Sequence, residues 1–412
     1  MPQRTTRRLS AGYLGAAVVF AIGMMGTTLP TPLYGLYREE LGFSEFMVTV
    51  VFAVYAFGVI AVLLLAGNFS DQVGRRPVLF IGLGLSAASA VCFLTEGGLP
   101  LLFAGRLLSG FAAGLFSGSA TATVMELAPP GREARAGLAA TAANMGGLGC
   151  GPLIAGLLAQ YAPSPLRLPF VAALGLVAVG VVVTWFLRET VEHRTRRPKL
   201  SPQGLKVPPE VRGVFAPAAL AAFAGFALLG LCTAVSPTFI ATTLGERNLA
   251  VSGAVVFSVF LASTVGQSMM GRVGAARALP GGSLVLVVGL VLVGVSLFVE
   301  SLPLLVVGVV CGGLGQGLAF RAAVTAIGAA APPESRGGTI STFFVVAYVG
   351  ISLPVIGIGA LTLLLELRVV GMIFTGCVAV LAAAVGLYEL RELRVRRNAN
   401  GVGAGAGEPP FS

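Results

Sequence analysis

The sequence predicts an all-α integral membrane protein, with twelve transmembrane helices in two pseudo-symmetric six-helix bundles. Three observations predict it. The 412-residue chain is 56% hydrophobic and only 11% charged, against about 25% charged for an average soluble protein. Apolar runs long enough to cross a bilayer, about 20 residues of helix, recur twelve times. Short motifs also repeat between the two halves of the chain at one fixed offset.

The runs fall at roughly 10–32, 46–66, 78–96, 99–123, 136–160, 167–187, 214–240, 250–270, 281–299, 303–325, 338–364 and 369–388. The first is too long for a signal peptide and counts as a span. Of the 27 Lys and Arg, Arg38, Arg167, Arg247 and Arg368 lie in outer loops, and Arg106 and Arg321 inside spans. Every other one falls on the opposite side. This positive-inside bias puts both termini in the cytoplasm and requires an even number of spans. It also explains the net charge of +10 without nucleic acid.

Residues 1–9 anchor the inner face through Arg4, Arg7 and Arg8. Span one ends in Thr27-Thr28-Leu29-Pro30-Thr31-Pro32, and its prolines predict a bent outer end. The loop after span two, Gly67-Asn68-Phe69-Ser70-Asp71-Gln72-Val73-Gly74-Arg75-Arg76-Pro77, holds the chain's one Asp. It is short enough to force antiparallel neighbours, with Gly74 suited to a tight or left-handed turn. Residues 189–213, rich in base and proline, read as a cytoplasmic linker between a bundle over 1–188 and a second over 214–390. The lone His193 is expected to be solvated there. Residues 391–412 read as a disordered tail. The five cysteines lie within apolar runs, where packing and no disulfide framework are expected.

The halves are related. Leu99-Pro100-Leu101-Leu102 recurs as Leu302-Pro303-Leu304-Leu305, Gly110 and Gly114 map onto Gly313 and Gly317, Ala128-Pro129-Pro130 onto Ala331-Pro332-Pro333, and Pro77 onto Pro280. Each pair is 203 residues apart. This is the signature of a duplicated six-span unit. Gly271-Arg272-Val273-Gly274 reads as a decayed copy of the loop at 67–77.

The pattern Gly67-x-x-x-Asp71-x-x-Gly74-Arg75-Arg76, set between spans two and three, resembles the signature loop of the major facilitator superfamily. Arg106-x-x-x-Gly110 resembles the superfamily's span-four motif, with Ser109 where many members have Gln. Gly147-x-x-x-Gly151-Pro152-x-x-Ala155-Gly156 resembles the span-five motif of its twelve-span drug–proton antiporters, with Ala155 where Gly is usual. The resemblance covers roughly 10–390. It implies alternating access between two bundles. It also implies an inner gate of Gly67, Asp71, Gly74, Arg75, Arg76 and Glu126, in which the loop Asp meets the start of span eleven near Gly337 when the cavity opens outward. The span-five motif implies export rather than uptake.

Charges inside a bilayer usually face a cavity or a partner. Arg106 is therefore read as lining the cavity, the alternative being a side chain that reaches the outer interface. Arg321 is expected at the inner interface. Asn144, Gln267, Gln316, Tyr348 and Tyr55 could hydrogen-bond a substrate near the midplane or make helix–helix contacts. All seventeen acids fall in loops, tails or span ends, so no buried proton-carrying carboxylate is evident. Arg106 accordingly favours neutral or anionic amphiphiles over strongly cationic drugs. Metal sites and catalytic triads are not expected, since the one His and the one Asp lie in different loops and no His/Cys cluster has zinc spacing.

The expected protein is thus no enzyme and needs no cofactor. It would be a secondary transporter of the cytoplasmic membrane, functional as a monomer. It would export a small organic molecule such as a drug, antibiotic or metabolite against protons. The alternatives are proton-coupled uptake of a sugar or organic acid, and a membrane receptor that does not transport.

Overall fold

The computed structural model describes residues 2–67, 69–95, 97–192 and 204–404. Among these, twelve helical runs are long and apolar enough to cross a membrane. The N-terminal half comprises α1 (Pro2–Thr28), α2 (Tyr34–Leu41), α3 (Glu45–Leu65), α4 (Phe69–Val73), α5 (Arg75–Leu94), α6 (Gly98–Glu126), α7 (Glu133–Tyr161) and α8 (Leu168–Phe186). The C-terminal half comprises α9 (Arg212–Gly230), α10 (Ser236–Thr242), α11 (Leu249–Val273), α12 (Ala275–Val299), α13 (Leu302–Ala330), α14 (Arg336–Leu361) and α15 (Leu367–Ala404). Span one is α1 plus α2, and span seven is α9 plus α10. The end of the bundles that carries the basic loops is called inner below.

Both composite spans break for local reasons. Pro30 and Pro32 have no N–H, so the carbonyls of Gly26 and Thr28 lose their helical donors. The chain passes through a 3₁₀ turn, Thr31–Leu33, before α2 resumes. Span seven is interrupted by a π-helical turn, Leu231–Val235, just ahead of Pro237. Thr28 and Leu231 are themselves 203 residues apart, so the two breaks occupy equivalent places in the repeat.

The duplication shows in the packing. A Cβ on Gly110 would strike the Tyr55 carbonyl of α3, and one on Gly114 would meet Val62. In the second half, Gly313 and Gly317 of α13 sit in the same way on Val259 and Ser263 of α11. Small residues let membrane helices approach this closely. The signature loop is likewise copied: Gly74 (φ 113°, ψ 152°) and Gly274 (φ 85°, ψ 142°) open α5 and α12 with positive φ, where glycine carries no Cβ penalty.

The halves meet along α7 against α11 and α3 against α14. Both seams are tight toward the outer side. Gly156 of α7 lies on the Leu249 carbonyl, and Gly253 of α11 on that of Pro152. Gly359 of α14 lies on Thr49 of α3. Gly156 and Gly359 are another pair 203 residues apart. The Leu249 amide donates to Gln160 Oε1 (2.9 Å) and Asn248 Nδ2 to the Tyr161 hydroxyl (3.2 Å), which ties the outer ends of the α7–α11 seam.

One expectation is corrected. The last helix runs to Ala404, across the first part of the stretch read as a disordered tail. Residues 389–397, Glu-Leu-Arg-Glu-Leu-Arg-Val-Arg-Arg, are mostly good helix formers, and no proline follows until Pro409. The helix therefore propagates out of the membrane. His193 and residues 194–203 of the basic linker lie outside the described residues, as do residues 405–412.

Candidate functional site

Between the halves lies a cavity of about 430 Å³. It begins beneath the outer seams, at Thr27 and Thr28 of α1 and Phe52 of α3. It extends inward to Met125 of α6, Gly137 of α7 and Arg321 of α13, which stand in the inner parts of their helices. The passage is thus closed outward and reaches toward the inner side.

Aromatic side chains from both halves form part of its wall. Rings run in sequence across both bundles: Phe52 to Tyr55 at 5.4 Å, Tyr55 to Tyr348 at 6.3 Å, Tyr348 to Phe226 at 5.8 Å and Phe226 to Phe320 at 5.4 Å. Tilted and edge-on rings at such spacings are favourable. The Tyr55–Tyr348 pair joins the two halves, so relative motion of the bundles has to rearrange it.

Arg106 stands at the start of this row, about 12 Å along α6 from its outer end at the helix rise. It does not reach for the outer interface. The residue is 1% exposed. Nη1 donates to the Thr27 carbonyl (2.5 Å) and Nη2 to that of Phe52 (3.2 Å). Its guanidinium carbon lies 4.6 Å from the Tyr55 ring centre and 5.4 Å from that of Phe52. Thr27 is next to last in α1, so the cation meets the negative end of a helix dipole as well as two ring faces. These replace the carboxylate partner that a buried Arg would ordinarily need. Even so, Arg106 Nε, Thr27 Oγ1 and Asn144 Oδ1 are buried without a hydrogen-bond partner, and all three residues line the cavity.

Of the other residues named from sequence, Tyr55, Tyr348, Asn144 and Gln267 line the cavity. Gln316 does not. It is 1% exposed and accepts a hydrogen bond from Ser263 (2.6 Å), which also accepts from Gln267 Nε2 (3.4 Å). Its side chain fills the space left by Gly225 of α9, so Gln316 is a helix–helix contact behind the wall. Arg321, expected only at the interface, also borders the cavity near its inner mouth. Thr233, in the π-helical turn, and Phe226 and Phe320 were not singled out from sequence. Nothing in an apolar run distinguishes such residues until the helices are placed.

The span-five motif lies in the seams. A Cβ on Gly147 would strike the Ala21 carbonyl of α1, and one on Gly151 that of Met25. Gly156 and the Pro152 carbonyl face α11 instead. The Thr28 hydroxyl donates to Leu148 O (2.6 Å) and closes the α1–α7 contact.

At the inner end, Arg75 gathers its neighbours. It pairs with Asp71 (2.6 Å) and with Glu126 (2.7 Å from Nη2, 3.2 Å from Nε), and it donates to Ser70 Oγ. Two residues missed from sequence complete the cluster. Glu189 accepts the backbone amides of Arg75 (2.9 Å) and Arg76 (3.2 Å), so a carboxylate sits on the N-terminus of α5. Thr190 donates to Glu126. Arg76 also donates to the Trp185 carbonyl (2.7 Å). The cluster therefore ties helices of one bundle together. Toward span eleven, Gly67 and Ser70 face Gly337 and Ile340 of α14 across a second cavity of about 280 Å³. This side arm shares Ser117, Phe344 and Tyr348 with the central cavity.

A family model described as Major Facilitator Superfamily matches residues 16–274. The chain belongs to the major facilitator superfamily. Among the curated superfamily proteins it resembles is the class D tetracycline resistance protein of Salmonella ordonez, 30% identical over 187 residues, 44% of this chain and 46% of that protein. The class B protein of Escherichia coli is 30% identical over 184 residues, 43% and 45% of the two chains. The quinolone resistance protein NorA of Staphylococcus aureus is 25% identical over 156 residues, 37% and 39%. The chain thus spans less than half the length of the curated relatives it matches. Solved transporter structures share the fold over nearly the whole chain. A peptide transporter, POT, superposes with a TM-score of 0.71 at 16% identity, covering 94% of each chain. The human organic anion transporter MFSD10 does so with 0.64 at 19% identity, covering 94% of this chain and 100% of that one.

Proposed function

We propose that this superfamily member exports a small, largely apolar organic molecule by alternating access, drawing on the proton-motive force. The observation that carries the reading is the central cavity between the halves, crossed by a row of aromatic rings, closed outward by two glycine seams and reaching toward the inner side. A molecule loading there from within is released outward when the halves rock and the seams part. The resistance proteins named above favour export. So does the span-five motif, which stands in both the α1–α7 contact and the α7–α11 seam.

Proton antiport is the form of coupling expected from the antiporter-like motif. The exporter acts in the cell membrane with both ends on the cytoplasmic side. One chain encloses the whole cavity, which supports a monomer as the working unit. The inner cluster around Arg75 and Asp71 is the gate, and Arg106, Tyr55, Asn144, Gln267 and Tyr348 meet the substrate.

Purified protein in liposomes, given a pH gradient and a panel of labelled amphiphiles, tests this. Uptake into inside-out vesicles acidified within, lost when the gradient is collapsed, is expected. Equal transport with and without the gradient would reduce the protein to facilitated diffusion.

A further inference from the structure

We propose that the substrate is a monoanionic amphiphile, held by Arg106 at the closed end of the cavity, and that the electrical part of the proton-motive force expels it. This rests on the export reading above, names its substrate class, and replaces proton exchange by the membrane potential as the energy source.

The charge content of the cavity carries the argument. Among the described residues, its charged lining groups are Arg106 and Arg321, and no carboxylate or imidazole borders it. Facing Arg106 are Thr27, Phe52 and Tyr55, with Tyr34 of α2 close by. These supply carbonyls, ring faces and hydroxyls, which soften the cation without cancelling it. The polar atoms left over at the same place are matched to a ligand. Arg106 Nε is an unused donor, the unpartnered Thr27 hydroxyl can donate or accept, and Asn144 Oδ1 is an unused acceptor. A ligand with one anionic oxygen and a neighbouring hydroxyl or amide N–H satisfies all three. Its apolar body would lie along the ring row from Tyr55 to Phe320.

An anion bound there leaves the loaded cavity near electroneutral at its deep end, with no carboxylate or imidazole among the described lining residues to exchange a proton. Each outward passage then moves one negative charge toward the positive face. That work is about 2.3 kcal/mol per 100 mV, equivalent to roughly a fiftyfold gradient.

The test uses the full chain in liposomes with two tritiated probes that share a ring: 2-naphthalenesulfonate, a permanent monoanion, and (2-naphthylmethyl)trimethylammonium, a permanent cation. A potassium gradient with valinomycin sets the potential, and trapped pyranine reports internal pH. The expected result is accumulation of the sulfonate on the positive side, approaching fiftyfold at about 100 mV, with internal pH unchanged. Arg106→Met abolishes it and Arg106→Lys retains part. Should Arg106→Met fail to fold, Thr27→Val lowers sulfonate affinity several-fold. Transport of the cation and not the anion overturns the assignment while export stands. Sulfonate flux with a stoichiometric proton flux overturns the electrical drive. If neither probe moves, the export reading fails. Equilibrium binding of the sulfonate to purified protein then decides the site: saturable binding lost in Arg106→Met keeps it, and absence of binding overturns it.

Discussion

Replacing Gly253 with valine should open the transporter outward. An ideal Cβ at this position would collide with the Pro152 carbonyl oxygen, and it lies 3.0 Å from the Pro152 carbonyl carbon and 3.2 Å from Leu153 Cα. All are backbone atoms of α7, so no side chain can turn aside, and the seam itself must part. Overpacking of this kind costs about 1–3 kcal/mol. The cost falls only on the conformation in which α7 and α11 touch at their outer halves. The equilibrium between closed and open seams should therefore shift about 5- to 150-fold, at 1.4 kcal/mol per factor of ten. The assay is labelling from outside by a membrane-impermeant maleimide at Ser117→Cys, a cavity position away from the seam, with the native cysteines replaced by alanine. Gly146→Ala is the control, since a Cβ there meets nothing within 4 Å. If Gly253→Val and Gly146→Ala label at the same rate, the α7–α11 seam is not the outer gate.

Glu126→Gln removes the two-point pairing with Arg75 but leaves a half-exposed site, so it should cost about 1 kcal/mol, read as a lower thermal midpoint in detergent. The double-mutant cycle with Arg75→Met should show most of that loss as coupling. Ser263→Ala leaves the buried Gln316 Oε1 without its donor and should also cost about 1 kcal/mol, within the range for polar contacts between membrane helices. The same midpoint should show it, with substrate affinity little changed because Gln316 stands behind the cavity wall. Phe226→Ala breaks the ring row at its centre. It should lower affinity for aromatic substrates about tenfold, roughly 1.4 kcal/mol, measured as the Kd of a tritiated ligand.

The parts of this architecture legible in the sequence are those where one residue type has few physical uses. Gly74 was read as a turn glycine and has φ 113°. Arg75, Asp71 and Glu126 were read as a cluster and pair at 2.6 and 2.7 Å. Other residues have uses that sequence cannot separate. Gln267 and Gln316 are both lone amides in apolar helices, yet one borders the cavity and the other fills the gap at Gly225. In a helix apolar on every face, periodicity does not tell lipid from lumen from neighbour. Glu189 was hidden for another reason: its partners, the Arg75 and Arg76 amides, are more than a hundred residues away.

The duplication offers a way past this ambiguity. Within the spans, glycines shared by the two halves at the 203-residue offset pack: Gly110 with Gly313, Gly147 with Gly350 and Gly156 with Gly359 all seat against a neighbouring helix. At three positions where the halves disagree, the polar member borders the cavity. Arg106 stands opposite Val309, Asn144 opposite Ala347 and Tyr348 opposite Met145. The reason is physical. Each bundle must close on itself by the same contacts, so the glycines are held in both copies, whereas a cavity between the bundles needs each polar group only once. Transplanting the polar member into the other half tests this, because Val309→Arg would bury a second cation where the equivalent carbonyl is already engaged. Val309 is fully buried, and the counterpart of the Thr27 carbonyl, that of Gly230 at the end of α9, accepts the Thr233 hydroxyl (3.3 Å) of the π-helical turn. The variant should fail to reach the membrane in folded form, while Val309→Leu should be accepted. Normal folding of Val309→Arg would show that a helix-end carbonyl left free for the cation is not what permits Arg106.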